Sequence, residues 1–120
     1  MVVATIEPDK DLLASFVEIA KREGIGAGII LSAVGSLKRV NVRNLKEFPK
    51  GLPVSDVNRS WKVVEDRPLE ILSVVGNIHQ RKGETEVHAH ITASTSLGDE
   101  VLVFGGHLVE GNITYLNVEV

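Results

Sequence analysis

With 120 residues, no cysteine and a formal net charge of −3, the chain is predicted to form one domain, residues 1–120, large enough to bury a core without staples. The lack of cysteine excludes disulfides and thiolate ligands, which leaves His, Asp and Glu as metal donors. The acidic balance argues against a strongly basic nucleic-acid binder, because such binding leans on phosphate neutralisation. Bases do gather from Lys38 and Arg39 through Arg43, Lys46, Lys50, Arg59 and Lys62 to Arg67, but a solvated edge is the plainer reading of such a run. No stretch approaches the roughly 18 apolar residues of a membrane span, and MVVATIEPDKD lacks the regions of a signal peptide. A cytoplasmic location with no membrane partner is expected.

Val2–Ile6 reads as a first short strand. Pro8-Asp9 then opens a helix, with Asp9 as candidate N-cap and Asp11 placed well for the positive helix end. Leu12, Leu13, Phe16, Val17, Ile19 and Ala20 recur at spacings of three and four and form one apolar stripe. Lys21 and Arg22 suit the last turn, and Gly24 ends it. This amphipathic helix must lie on a sheet. Gly24, Gly26 and Gly28 follow a helix and precede a strand, the reverse of the order in a dinucleotide fingerprint, and no Gly-Lys-Ser/Thr follows for a P-loop. A buried strand over Ile29–Val34, a turn at Gly35-Ser36 and a strand over Leu37–Leu45 are predicted.

Lys46–Trp61 is broken by Pro49, Gly51, Pro53 and Asn58 and reads as a loop, with a short strand near Ser60–Val64. Trp61, the only tryptophan, is read as packing on the core or its edge. An antiparallel meander follows: Leu69–His79, a turn at Lys82-Gly83, Thr85–Ala93, a reversal near Gly98-Asp99, Glu100–Val109, a tight turn at Glu110–Asn112, and Ile113–Val120. The first hairpin sets Asn77 opposite His88 and His79 opposite Glu86. Leu69, Ile71 and Val75 are predicted to point one way, and Leu72 and Val74 the other. One helix covers one face, so the second apolar face calls for another layer or another subunit.

The stretch from Glu86 to Glu110 carries three of the four histidines, His88, His90 and His107. Residues two apart on a strand share a face, so His88 and His90 project together while Val87, Ala89 and Ile91 face away. A turn centred near Leu97 sets His107 opposite His88, and cross-strand partners share a face. A one-residue slip would send His107 to the other side. Three imidazoles with an open position suit a zinc-type ion that also holds water or a ligand. The plainer alternative is that each histidine satisfies only a local hydrogen bond. Gly105-Gly106 beside His107 marks a bulge or a close approach.

The run Arg67–Asn77, RPLEILSVVGN, together with HAHI and GGHLVEG, resembles the PPC domain shared by plants and prokaryotes. DLLASFVEIAKREGI and GAGIILSAVGSL match in the same order, so the resemblance covers nearly the whole chain. It implies an α+β fold, a bent antiparallel sheet packed on one main amphipathic helix, assembled as a homotrimer. In plants the domain is joined to AT-hooks that enter the minor groove. This chain has no Arg-Gly-Arg-Pro hook, so the resemblance implies a binding or regulatory module associated with DNA through DNA-binding partner proteins. The segment Arg67–Leu72 matches the family stretch linked to partner contacts. The PPC fold is also similar to that of acetolactate decarboxylase, whose zinc is held by His-x-His and a third histidine. That similarity implies Zn2+ or another divalent metal on His88, His90 and His107. The alternative is a zinc-dependent lyase or hydrolase acting on a small carbonyl compound. Its general acid or base would come from Glu86, Glu100 or Glu110 by proximity in sequence.

Overall fold

A computed structural model describes residues 1–120. The helix, α1 (Leu12–Arg22), buries Leu12, Phe16 and Ala20 at spacings of four, with Leu13 and Ile19 packed at the margin. Its cap is Asp11, not Asp9: the Asp11 carboxylate accepts from the Ala14 amide at 2.9 Å. Asp9 instead sits at φ 63°, a conformation that Asp tolerates better than most residues. The cause is tertiary. The Asp9 amide donates to the Thr114 carbonyl at 2.9 Å and the Lys10 amide to Thr114 Oγ1 at 2.9 Å, which holds this segment in a turn and delays the helix. Lys21 and Arg22 occupy the last turn, as predicted. No helix is long and apolar enough to cross a membrane.

The main sheet is antiparallel. It comprises β2 (Gly28–Ile30), β3 (Ser36–Leu45), β4 (Arg59–Arg81), β5 (Glu84–Leu97), β6 (Glu100–Leu108) and β7 (Ile113–Thr114). A separate two-residue pair joins β1 (Thr5–Ile6) to β8 (Val118–Glu119). The strands predicted at either end of the chain are therefore shorter than their apolar runs. The strand expected near 60–64 and the one expected from Leu69 are one element, the 23-residue β4. Its first half pairs with β3, its second half with β5 and β2. Because β3 also pairs with β6, the path β4-β5-β6-β3 returns to β4 and the sheet closes on itself. This is the bent sheet of the predicted α+β class. Pro68 does not end β4, because it lies in a bulge: residues 37 to 39 on β3 span residues 69 to 65 on β4. A missing amide donor is tolerated at such a place.

A second bulge changes which side chains face inward. Ile71 pairs with Ala93 but Ser73 pairs with Thr92, so Leu72 is an extra residue and the alternation resets. Val74 joins Leu69 and Ile71 in the core, while Leu72 and Val75 are 54% and 70% exposed. The simple alternation expected here breaks at that one residue, which reverses the predicted facing of both Val74 and Val75. The β4–β5 reversal is as predicted, with Lys82 and Gly83 at φ 50° and 79°. Two positive φ values are what a two-residue type I′ hairpin requires.

The core gathers fifteen apolar residues from α1, β3, β4, β5, β6, the chain ends and Ala33 between β2 and β3, with Leu12, Leu37, Val40, Leu69 and Val118 fully sequestered. The segment expected as a buried strand over Ile29–Val34 is instead exposed at Ile29, Leu31 and Val34. Its strand part, β2, pairs only with Gly76–Ile78 of β4 at the rim of the sheet, and Val34 bridges to Glu119. Trp61 is 46% exposed, not core: it stands opposite Arg43, on the side of the sheet away from Val40 and Val42.

Candidate metal centre and its pocket

Alternation along β5 places Ala89, Ile91 and Ala93 in the core and leaves His88 and His90 on the outer side, both exposed. The hairpin turns at Gly98-Asp99, with Leu97 paired to Glu100, and this register sets His107 opposite His90. The predicted partner was His88. A shift of two residues along a strand preserves the face, so the three rings still meet. Their centroids lie 5.4 Å (His88–His90), 4.9 Å (His88–His107) and 5.6 Å (His90–His107) apart.

Gly105 and Gly106 make that meeting sterically feasible. A Cβ on Gly105 would lie 2.4 Å from the Ile91 carbonyl oxygen, and one on Gly106 2.5 Å from Asn44 Nδ2. Bare backbone is what lets β6 fit between β5 and β3 here. The end of β6 is tied down by a polar clamp. Asn112 is fully buried; its Oδ1 accepts from the Asn41 amide at 3.0 Å, and its Nδ2 donates to the Asn41 and Val109 carbonyls at 2.8 and 2.7 Å. Asp11, while capping α1, also accepts from the Gly111 amide at 2.7 Å. The helix start and the strand carrying His107 are thereby fixed to one another.

The donor set fits a divalent transition ion. One nitrogen from each of His88, His90 and His107 lies within 4.8 Å of the others. A tetrahedral ion with bonds near 2.1 Å needs donors about 3.4 Å apart, a closure that rotation of the exposed His88 and His90 side chains would supply. Three imidazoles without thiolate or carboxylate suit Zn, Cu, Fe or Ni over Mg or Ca. His107 is lowered from the ordinary 6.5 to about 4, first by burial, then by the positive charge of Arg43, by His88 and His90, and by Arg59. It is therefore held neutral, as a ligand must be. His79 does not join the group: it faces Glu86, with Nε2 and Oε2 3.3 Å apart. Glu100 sits beside the distal turn, and the Glu110 carbonyl accepts from Asn41 Nδ2 at 2.9 Å. None of the three glutamates named as acid or base candidates borders the pocket described next.

Beside His90 and His107 lies a half-open pocket of about 490 Å³, walled by Arg43, Asn44, Leu45, Val54, Arg59 and Gly106. It opens because two strands part. The β3–β6 ladder consists of Val42↔Leu108 and Arg43↔His107 and stops there, after which Asn44 Nδ2 bridges to the Gly105 carbonyl at 3.1 Å. Arg43 and Arg59 were read from the sequence only as members of a basic run. Alternation on β3 was the available signal, but the pairing of β3 with β6 joins segments some 65 residues apart, and no local pattern specifies it.

The family model for the Plants and Prokaryotes Conserved (PCC) domain, also abbreviated PPC, matches residues 1–120. The chain belongs to this family. A PPC protein of Pyrococcus horikoshii is 27% identical, with a TM-score of 0.74 over 98% of this chain and 74% of that one. The metal-containing protein of Archaeoglobus fulgidus has the same fold at 24% identity, with a TM-score of 0.72 over 98% of this chain and 75% of that one. So does the "putative DNA binding protein" of Bacteroides thetaiotaomicron, at 19% identity and a TM-score of 0.77, over 98% of this chain and 73% of that one. The bifunctional protein GlmU of Synechococcus sp. strain JA-2-3B'a(2-13) is 29% identical over 113 residues, 94% of this chain. The PCC chain spans only 15% of the length of that relative.

Proposed function

We propose that this PCC protein is a metal-binding module that assembles as a homotrimer and acts as a binding or regulatory unit, reaching DNA through partner proteins. The observation that carries the metal reading is the convergence of His88, His90 and His107, with donor nitrogens within 4.8 Å of one another. The metal-containing relative from Archaeoglobus fulgidus supports it. Self-association is supported by the outer face of the sheet, where Ile29, Trp61, Val63, Val75, Val101 and Val103 are all more than 40% exposed. A face that apolar is a surface for covering. Association with DNA is supported by the DNA-binding name of the Bacteroides relative. A partner-mediated route is favoured because Lys38, Arg39 and Arg59 of the basic run are paired to Asp9, Glu65 and Asp56.

Metal analysis of protein purified without added metal, compared with a His88→Ala/His90→Ala double variant, tests the first claim. About one equivalent in the parent and none in the variant is expected; no metal in the parent refutes it. Sedimentation of the parent against Val75→Lys/Val103→Lys tests the second, with a trimer expected to become smaller species. A gel shift on AT-rich duplex at near-physiological salt should show no direct complex.

The second reading, a metal-dependent enzyme for a small carbonyl substrate, is favoured by the pocket that opens on His90 and His107. A divalent ion there would supply Lewis acidity and lower the pKa of bound water. The chain's own part would be to hold that ion through three neutral imidazoles and to position substrate between Arg43 and Arg59.

A further inference from the structure

The pocket beside the triad has a chemistry of its own. Arg43 and Arg59 both line it, both are only partly exposed, and no carboxylate is among its walls. Arg59 is paired with Asp56, Nη1 to Oδ1 at 3.2 Å. The Arg43 side chain forms neither an ion pair nor a hydrogen bond, whereas that of Arg39, on the same strand, holds both Glu65 and the Gly111 carbonyl. A half-buried guanidinium has lost part of its hydration and presents donors in a planar fork that matches an oxyanion. Its place is fixed by pairing: Arg43 stands directly opposite His107 on one side and Trp61 on the other.

We propose that Arg43, assisted by Arg59, binds the oxyanion of a small molecule, a carboxylate or a phosphate ester, in the pocket adjoining the three-histidine centre. The inference rests on the metal reading for what the rest of that molecule meets, since an oxygen next to the anionic group would lie toward His90 and His107. The size of the pocket, about 490 Å³, suits a metabolite-sized ligand, and its concave walls between parting strands do not suit a duplex backbone.

Trp61 is the only tryptophan and the cross-strand neighbour of Arg43, so its emission reports on the site without any assay of activity. The experiment titrates inorganic phosphate and, separately, succinate at constant ionic strength, with metal-loaded protein and with the His88→Ala/His90→Ala variant. A saturable change in Trp61 emission with either anion is expected, and the anion that produces it tells phosphate ester from carboxylate. Arg43→Gln should weaken that binding about tenfold or more, since a charge-assisted hydrogen bond is lost. Arg43→Lys should recover part of it. Metal content and thermal melting on the same samples keep the two readings apart. Saturable, Arg43-dependent binding in a parent protein that retains no metal after loading supports the anion site and refutes the metal centre, whereas the same binding in the His88→Ala/His90→Ala variant supports the anion site alone. A metal-retaining Arg43→Gln that titrates like the parent, or a parent with no saturable response to either anion, overturns the anion site. Displacement of the bound anion by duplex DNA would also overturn it, by assigning the arginines to a nucleic-acid backbone.

Discussion

The two sides of β5 invite comparison, because one strand serves both. Ala89, Ile91 and Ala93 are each 1% exposed and close the core on the side of α1. His88 and His90, one position away in each case, lie on the open side. The inner residues are constrained by volume and water exclusion, which tolerate no change of shape. The outer ones, on the proposed metal reading, are constrained by donor chemistry and direction, and being exposed they contribute little to folding. Stability and chemistry are thus separated by a single step along the chain, and substitutions on the two sides should fail in different assays.

The sharpest test of that separation is Ile91→Ala. A fully buried aliphatic side chain cut to Ala should lower stability by about 2–5 kcal/mol, read from urea denaturation, while the protein that remains folded keeps its metal. His90→Ala should behave in the opposite way. Loss of a supporting residue around a metal costs 10–100-fold in affinity, so loss of a ligand should cost more than about 100-fold, read by chelator competition. Its metal-free stability should stay within about 0.5 kcal/mol of the parent, as for most exposed positions. Equal stability losses in the two variants would erase the distinction.

Acid should act on the outer side more gently. In metal-free protein His107 should titrate near 4 by NMR, below the ordinary 6.5. The unfolded chain then takes up its proton first. Stability tied to neutral His107 is complete above the ordinary value, declines as the pH falls below it, and is lost on passing through about 4. Urea midpoints measured across this window should fall with pH, and less so in His107→Gln. The smallest effect is expected of Arg43→Gln, which should raise the His107 value part of the way back; burial, the leading cause of the depression, would remain.

The helix and the hairpins were legible in the sequence because their information is local. A stripe with spacings of three and four, Lys82-Gly83 and Gly98-Asp99 each specify their geometry within a few residues. His88 and His90 were legible for the same reason, and the face of His107 survived an error of two in register because the side-chain period of a strand is two. What escaped was non-local. Leu72 bulges because β4 must turn its inner face from β3 to β5, a demand that appears only once the sheet closes. Asp9 loses the cap to Asp11 because Thr114, more than 100 residues away, claims the backbone before the helix. The neighbourhood of Arg43 is likewise made by β6, whose arrival beside β3 no pattern in either strand announces.

The two walls of the pocket differ in how freely they can vary. Arg59 begins β4 and Val75, beside His90, lies far along the same strand, so an inserted or deleted residue between them would throw the arginine and the histidines out of alignment. Val54 comes from the connection between β3 and β4, where length is not pinned by a ladder and loops accept insertions. Descendants of this chain could therefore reshape the mouth of the cleft while inheriting the three-histidine cluster unaltered.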